Sequence, residues 1–390
     1  MDADTTIPRL ALNQLRVLDL SLLLPGPYST RILADFGAEV IKIERPGGSD
    51  WVRHTPPLRD GVGLLFHALN RGKKSLTLNL KSNAGRELFL RLVETADVLV
   101  ESFRSGVMER LGVGYERLSR VNPHLVYCSL SGYGPFGPYR ERPGHDLNYA
   151  GLAGLLDLTG PRDGPPVVLG APIADIGGAL WAAVGILLAL LVRERSDARP
   201  GQRVDASLLG GALACMPLAI AHAVGGQPLA RGASALTGGA VCYTLYETQD
   251  GGYVTLAALE PQFWAAFCRA VGREDLIGEQ FAPAAPGQPV YDALCVLFKT
   301  RTRQGWVEAL EGIDACCEPV YAVAEAIEAA PVEALGMLSD AGLLPPVQLS
   351  AQPARPPRPA PALGAHTDGL LRELGYDDAV IASLRQQAIV

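Results

Sequence analysis

Short apolar runs of strand length recur between residues 15 and 130, each followed by a breaker or a segment of helical spacing. Leu15-Arg-Val-Leu-Asp-Leu-Ser reads as a buried strand, and Pro25-Gly-Pro interrupts the chain before the helical spacing of Tyr28 to Phe36. Ala38 to Glu44 reads as a second strand stopped by Pro46-Gly-Gly, and Lys74 to Leu80 as a third. Gly85 to Ala96 is helical, while Val98-Leu-Val and Leu125 to Leu130 are a fourth and a fifth strand. Nearly continuous apolar strands alternating with helices demand a parallel sheet covered on both faces. The expected class is therefore α/β, with right-handed crossovers.

Beyond this region the pattern changes. Residues 146–225 are mostly apolar with helical spacing, and Ile176 to Val192 is a run of 17 residues without a charge. That length lies at the lower edge of what spans a bilayer. Asp175 and Arg193 bracket the run, and its many Gly and Ala residues point instead to a fully buried helix, with no membrane as partner. Ala240 to Thr248 and Tyr253 to Ala258, joined by Gln249-Asp-Gly-Gly, read as a hairpin. This hairpin anchors a smaller α+β domain at 228–325. Residues 345–361 hold seven prolines and read as an extended strap. Two short helices close the chain.

Charge and cysteine content narrow the function classes. A formal net charge of −7 argues against nucleic acid as the main partner. The charged fraction of 19% is below the roughly 25% usual for soluble proteins, which suggests surface hidden in an oligomer. The seven scattered cysteines form no CxxC pair and no metal-ligand spacing, and the first residues carry acids without an apolar core. We therefore expect a cytoplasmic protein with reduced thiols and no metal.

Few segments carry chemistry. Gly132-Tyr-Gly-Pro-Phe-Gly137 matches GxGxxG after a strand, but Pro135 and Pro138 prevent the helix that a dinucleotide fingerprint needs. A Gly/Pro loop beside a pocket is the better reading. No P-loop, GxSxG or HExxH pattern occurs. Arg45, Arg104, Lys73 and Lys74 stand at strand ends, where they either neutralise a phosphorylated ligand or are ordinary solvated charge. In Gly144-His-Asp-Leu-Asn-Tyr149, Asp146 opens a helical pattern and can cap it, with His145 at its mouth. Asp175 is either a cap or a carboxylate at the edge of a dry core, where burial makes it a usable general base. Glu260 in Glu260-Pro-Gln-Phe reads as a first-turn acid.

These segments together resemble the class III coenzyme A transferase family, and within it the α-methylacyl-CoA racemase branch. The likeness runs through Leu15 to Leu20, Pro25-Gly-Pro, Ala34 to Pro46, Asn70 to Leu78 and Ala96 to Glu101. It continues through Gly106 to Gly112, Gly144 to Tyr149, Glu260 to Phe263, Asp314 to Val320 and Ala362 to Asp368. The resemblance implies a Rossmann-like large domain with a parallel sheet, a smaller domain, and a homodimer whose chains interlace like linked rings. It assigns 1–190 to the large domain, completed by 364–390. It makes 191–227 crossing linker helices, 228–325 the small domain and 326–363 a Pro-rich return linker.

It further implies racemisation of 2-methylacyl-CoA thioesters, with no bound cofactor because the CoA thioester is the substrate. His145 and Asp175 would be the two bases, Glu260 would orient His145, and Asp146 would cap and position. Backbone N–H groups at the start of the Asp146 helix would stabilise an enolate. Arg45 and Arg104, with Lys73 or Lys74, would contact CoA. The alternative is a CoA transferase in which Asp146 is the nucleophile; a further one is a non-catalytic binder of CoA thioesters. One departure from the family pattern, Glu101-Ser-Phe-Arg-Ser-Gly, is expected to loosen its loop.

Overall fold

Six strands, β1 (Arg16–Asp19), β2 (Glu39–Glu44), β3 (Lys74–Thr77), β4 (Val98–Glu101), β5 (Val126–Ser131) and β6 (Gln202–Ser207), form one parallel sheet. The structure is a computed structural model that describes residues 10–340 and 342–390. Along the sheet the order is β3-β2-β1-β4-β5-β6. That is a doubly wound order, and the direction of winding reverses between β1 and β4. Ligands of such sheets bind outside the carboxyl ends of the strands at that reversal.

The pleat explains why the strands read as continuous apolar runs. Val17 pairs with Val40 and with Val98, and Leu18 with Ile41 and Leu99. Successive side chains point to opposite faces. Val17, Val40, Val98 and Val100 enter one core, together with residues of α1 (Pro25–Asp35) and α4 (Ile173–Arg195). Leu18, Ile41 and Leu99 enter another, with α2 (Asn83–Glu94) and the closing helices α7 (Thr367–Glu373) and α8 (Asp378–Gln386). The α/β class with a parallel sheet is thus present.

Two expectations need correction. The 191–227 segment is not simply helical, because it contains the edge strand β6. In Gln202-Arg-Val-Asp-Ala-Ser only Val204 and Ala206 are apolar and Arg203 and Asp205 are open to solvent, so no apolar run marks it. The 17-residue apolar run lies in α4, which is long and apolar enough to cross a membrane by length and composition. It is not fully buried. Ala182, Ile186 and Ala189 face the core, but Leu180, Trp181, Val184, Leu188, Leu191 and Val192 form an exposed stripe. Gly211 lets α5 (Leu208–Ala214) approach α4: a Cβ on Gly211 would sit 2.1 Å from the Gly178 nitrogen.

The chain divides into two units. The sheet unit comprises residues up to Ala153, Ala171–Cys215 and Leu335–Val390. The second unit comprises Gly154–Gly170 and Met216–Ala334. It contains the expected hairpin, β7 (Tyr243–Glu247) with β8 (Tyr253–Ala257), and a third antiparallel strand, β9 (Cys317–Pro319). Its core is aromatic: Tyr246 stacks on Phe298 at 4.5 Å, and Trp264 of α6 (Pro261–Ala270) stacks near Phe267 at 5.7 Å.

Candidate active site

The loops leaving β1 and β4 meet at the reversal of the sheet. Leu20 N–H donates to Val100 O, and Leu22 N–H donates to Ser102 Oγ at 3.0 Å. Phe103 N–H donates to Glu101 Oε2 at 2.7 Å. The Glu101-Ser-Phe-Arg-Ser-Gly loop is therefore tied rather than loosened, because Ser102 supplies the acceptor that joins the two strand ends. Arg104 emerges from this loop into solvent, and Arg45, just past β2, is also exposed, with its Nε donating to Gly48 O at 2.8 Å. Both guanidiniums stand on the carboxyl edge, where a phosphorylated ligand can reach them.

Lys73 does not. Its ammonium is wholly buried and donates to Asp19 Oδ2, Thr30 Oγ1, Asn70 Oδ1 and Pro27 O at 2.9–3.0 Å. An ammonium has three protons, so no capacity remains for a phosphate. Burial pushes the Lys73 pKa down to about 8, against the opposing pull of Asp19. Burial alone would raise the Asp19 carboxyl, but Lys73, Lys42 and the Ser21 and Thr30 hydroxyls outweigh it and hold the group at about 2. Lys74 begins β3 at the other edge of the sheet and pairs with Glu39. Neither lysine joins Arg45 and Arg104, so both leave the ligand-contact set.

The titratable groups gather where α3 (Asp146–Leu152) meets the first turn of α4. His145, and not Asp146, holds the cap position of α3; its backbone N–H donates to Asn148 Oδ1 at 3.0 Å and its imidazole is exposed. Asp146 is the first helical residue, and its Oδ1 accepts the Asp175 N–H at 3.0 Å. The carboxylate thus stitches two helices together instead of capping its own. Asp175 lies in the first turn of α4, whose cap position is Pro172, so the capping reading of Asp175 does not hold. Burial and the neighbouring Asp146 charge push the Asp175 carboxyl up to about 7. Its proton is therefore exchangeable near neutrality, as general acid–base work requires.

Tyr149 was not singled out from the sequence. Its ring packs so closely on the loop that a Cβ at Gly132 would lie 2.3 Å from its hydroxyl and one at Gly144 2.8 Å from its Cε1. A side chain at either place would force the Tyr149 ring out of its position. Burial, then Tyr133, then the Asp175 charge push the phenol up to about 12, while Arg104 pulls the other way. Tyr149 is thus the side chain on which the fields of Asp175 and Arg104 converge. Glu101, at the end of β4, was also missed as a site group: burial pushes its carboxyl up to about 7, and Tyr127 Oη donates to it at 3.4 Å. The signal was available, since an acid that ends a fully buried strand has no solvent to ionise into.

Glu260 belongs to the second unit, at the position that caps α6. Its carboxylate is exposed and does not cap that helix, which leaves it free to accept a hydrogen bond from elsewhere. The Gly132–Gly137 loop opens no helix: Gly134 and Gly137 have φ of +86° and +84°, and turns and then irregular backbone run on to His145. A dinucleotide phosphate therefore finds no helix N-terminus there.

With this geometry in place, comparisons with known proteins give a consistent outcome. The model of CoA-transferase family III matches residues 12–367. The chain is 36% identical over 393 residues to α-methylacyl-CoA racemase of Mus musculus, covering 98% of each. It is 31% identical over 407 residues to succinyl-CoA:glutarate CoA-transferase of the same species, covering 100% of this chain and 92% of that one. Among solved structures, a CAIB/BAIF family protein from Brucella suis superposes with a TM-score of 0.81 at 31% identity, covering 94% of this chain and 100% of that one.

Proposed function

The chain belongs to CoA-transferase family III, and on that footing we propose that it inverts the α-carbon of 2-methylacyl-CoA thioesters by two-base proton transfer. The observation that carries this reading is the raised Asp175 carboxyl, about 7, in the fold region that also presents an exposed imidazole at His145. Inversion needs one group that takes a proton from one face and another that gives one to the opposite face, in opposite protonation states. A neutral imidazole with a protonated carboxyl serves one direction, and an imidazolium with a carboxylate serves the other. The intermediate is an enolate on the thioester oxygen. At the start of α3 the Asn148 and Tyr149 N–H groups are used by His145 O, which leaves the Asp146 and Leu147 N–H groups as candidate donors to that oxygen. Arg45 and Arg104 would hold the CoA phosphates.

The pH dependence tests the assignment. For the enantiomer whose α-proton goes to Asp175, kcat/KM for exchange with solvent deuterium should rise through pH about 7. For the opposite enantiomer, kcat/KM for inversion should fall through the same point, because delivery of the proton by Asp175 needs its acid form. Asp146→Asn removes the like charge, so the inflection should move to lower pH in both profiles. An inflection unmoved by Asp146→Asn contradicts the assignment.

A second reading is supported by the transferase relatives and by the place of Asp146 itself. An Asp146 carboxylate fixed by the Asp175 N–H is also oriented for attack on a thioester. That reading predicts a hydroxylamine-sensitive mass adduct on Asp146 after mixing with acyl-CoA.

We also propose that the working form is a homodimer. The exposed α4 stripe of Leu180, Trp181, Val184, Leu188, Leu191 and Val192 is a continuous apolar face of the kind that partner chains cover. Analytical ultracentrifugation should give twice the chain mass of 41.3 kDa. Trp181→Glu with Leu188→Glu should shift the population toward the monomer.

A further inference from the structure

A cavity of about 850 Å³ opens at the amino ends of β1, β2 and β3, on the edge of the sheet opposite Asp146 and Asp175. The Pro-rich strap forms its outer wall and is pinned there. Arg355 N–H donates to Asp35 O at 2.6 Å, and Gly72 N–H donates to Pro359 O at 3.3 Å.

Its lining is strongly cationic. Of the basic residues on the wall, Lys73 is turned inward to Asp19, and Arg16 and Lys74 share the carboxylates of Glu39 and Glu373. Arg355 and Arg358 have no acid partner among the described residues. Among the described residues, Arg355 Nη2 donates only to Gly37 O, at 3.1 Å, and Arg358 makes no hydrogen bond or ion pair. Burial and then the charge of Arg358 push the Arg355 pKa down, so the two guanidiniums that line the cavity oppose each other. His366 adds a donor: its Nδ1 accepts the Ser75 N–H at 3.1 Å, which places the ring proton on Nε2.

We infer that this cavity binds a phosphorylated small molecule of nucleotide size, with its phosphates held between Arg355 and Arg358. Paired guanidiniums without a carboxylate match phosphate oxygens by charge-assisted bidentate hydrogen bonds. Binding would replace their mutual repulsion with attraction. The volume is within the range of small-molecule pockets and far exceeds the needs of a single phosphate. Leu15, Val40 and Pro361 add apolar wall for a base or sugar. The site is separate from the carboxyl edge that carries Arg45 and Arg104, so its occupant is a second ligand and not the reacting thioester.

Calorimetric titration of the full-length protein with ADP and with pyrophosphate tests this. Wild type should show a saturable ADP event that weakens about ten-fold or more in Arg358→Glu and persists in Arg104→Ala. Pyrophosphate should compete for the same event with lower affinity. Arg358 makes no contact that folding depends on, and Arg358→Gln should weaken binding in the same direction by less. The KM for acyl-CoA should be unchanged in both Arg358 variants. The inference is overturned if ADP does not bind, or if Arg358→Glu leaves the titration unchanged. It is likewise overturned if Arg104→Ala removes the event. Equal affinity for ADP and pyrophosphate would overturn the nucleotide-sized occupant.

Discussion

His145→Ala and Asp175→Asn should each lower α-proton exchange on a 2-methylacyl-CoA thioester by about 10²–10⁴-fold, the range that a positioned acid or base contributes. The two losses should differ in kind. With one base missing, proton removal from one face survives without delivery to the other. Each variant should therefore retain slow exchange from one enantiomer only, read by NMR in deuterium oxide with each enantiomer supplied separately. Asp146→Asn should keep exchange within about ten-fold of wild type, since Asp146 is assigned to positioning and to the local field. The transferase reading reverses this order: Asp146→Asn then abolishes turnover, and His145→Ala costs less. Full exchange from both enantiomers in Asp175→Asn would eliminate the two-base mechanism.

Lys73→Met should destabilise the sheet unit by about 3–5 kcal/mol, the usual cost of leaving a buried charge without its partner. Asp19 would then be a buried carboxylate whose nearest remaining cation is Lys42, and Lys42 is already engaged by Asp50 at 2.7 Å and by Ser21 O. The sign follows from the Asp19 pKa. A folded value of about 2, below the unfolded value of about 3.9, contributes stability that is present above pH 4 and lost as pH falls through 2. The difference between wild type and Lys73→Met in urea melts should therefore be largest near neutrality and shrink in acid. Adding Asp19→Asn to Lys73→Met should recover much of the loss, because it removes the stranded charge. A Lys73→Met protein with wild-type stability at pH 7, or a double variant less stable than the single, would show that the pair does not hold the strand ends.

The central strands were legible because both faces of β1, β2, β4 and β5 are buried, which makes their middle residues apolar, while Asp19, Lys42, Glu44 and Glu101 are buried polar exceptions. Edge strand β6 was not, since Arg203 and Asp205 on it face solvent and dilute the pattern. Strand β9 failed to register for a different reason: it is only Cys317–Pro319 and ends in proline, which is tolerated because it sits at a sheet edge. In the candidate site, His145, Asp146 and Asp175 stood out by residue type at helix starts, but their roles did not. The cap belongs to His145, and the Asp146 carboxylate reaches across to α4. Tyr149 and Glu101 remained hidden because neither residue type is unusual until its neighbours are known. Lys73 shows the opposite error: a lysine at a strand start looks available for a phosphate, yet its ammonium is consumed in the core.

Sequence by itself determined the α/β class, the hairpin of the second unit and the segments that carry acid–base groups. These depend on periodicity and residue type, which are local properties of the chain. Tertiary structure alone decided the protonation of Asp175, the removal of Lys73 and Lys74 from the ligand edge, and the convergence of Arg355 and Arg358 on one cavity. Each depends on burial and on charges far apart in the chain. A carboxyl at about 7 needs the burial of Asp175 and then the charge of Asp146, 29 positions away, and a basic cavity needs the strap laid across the strand starts.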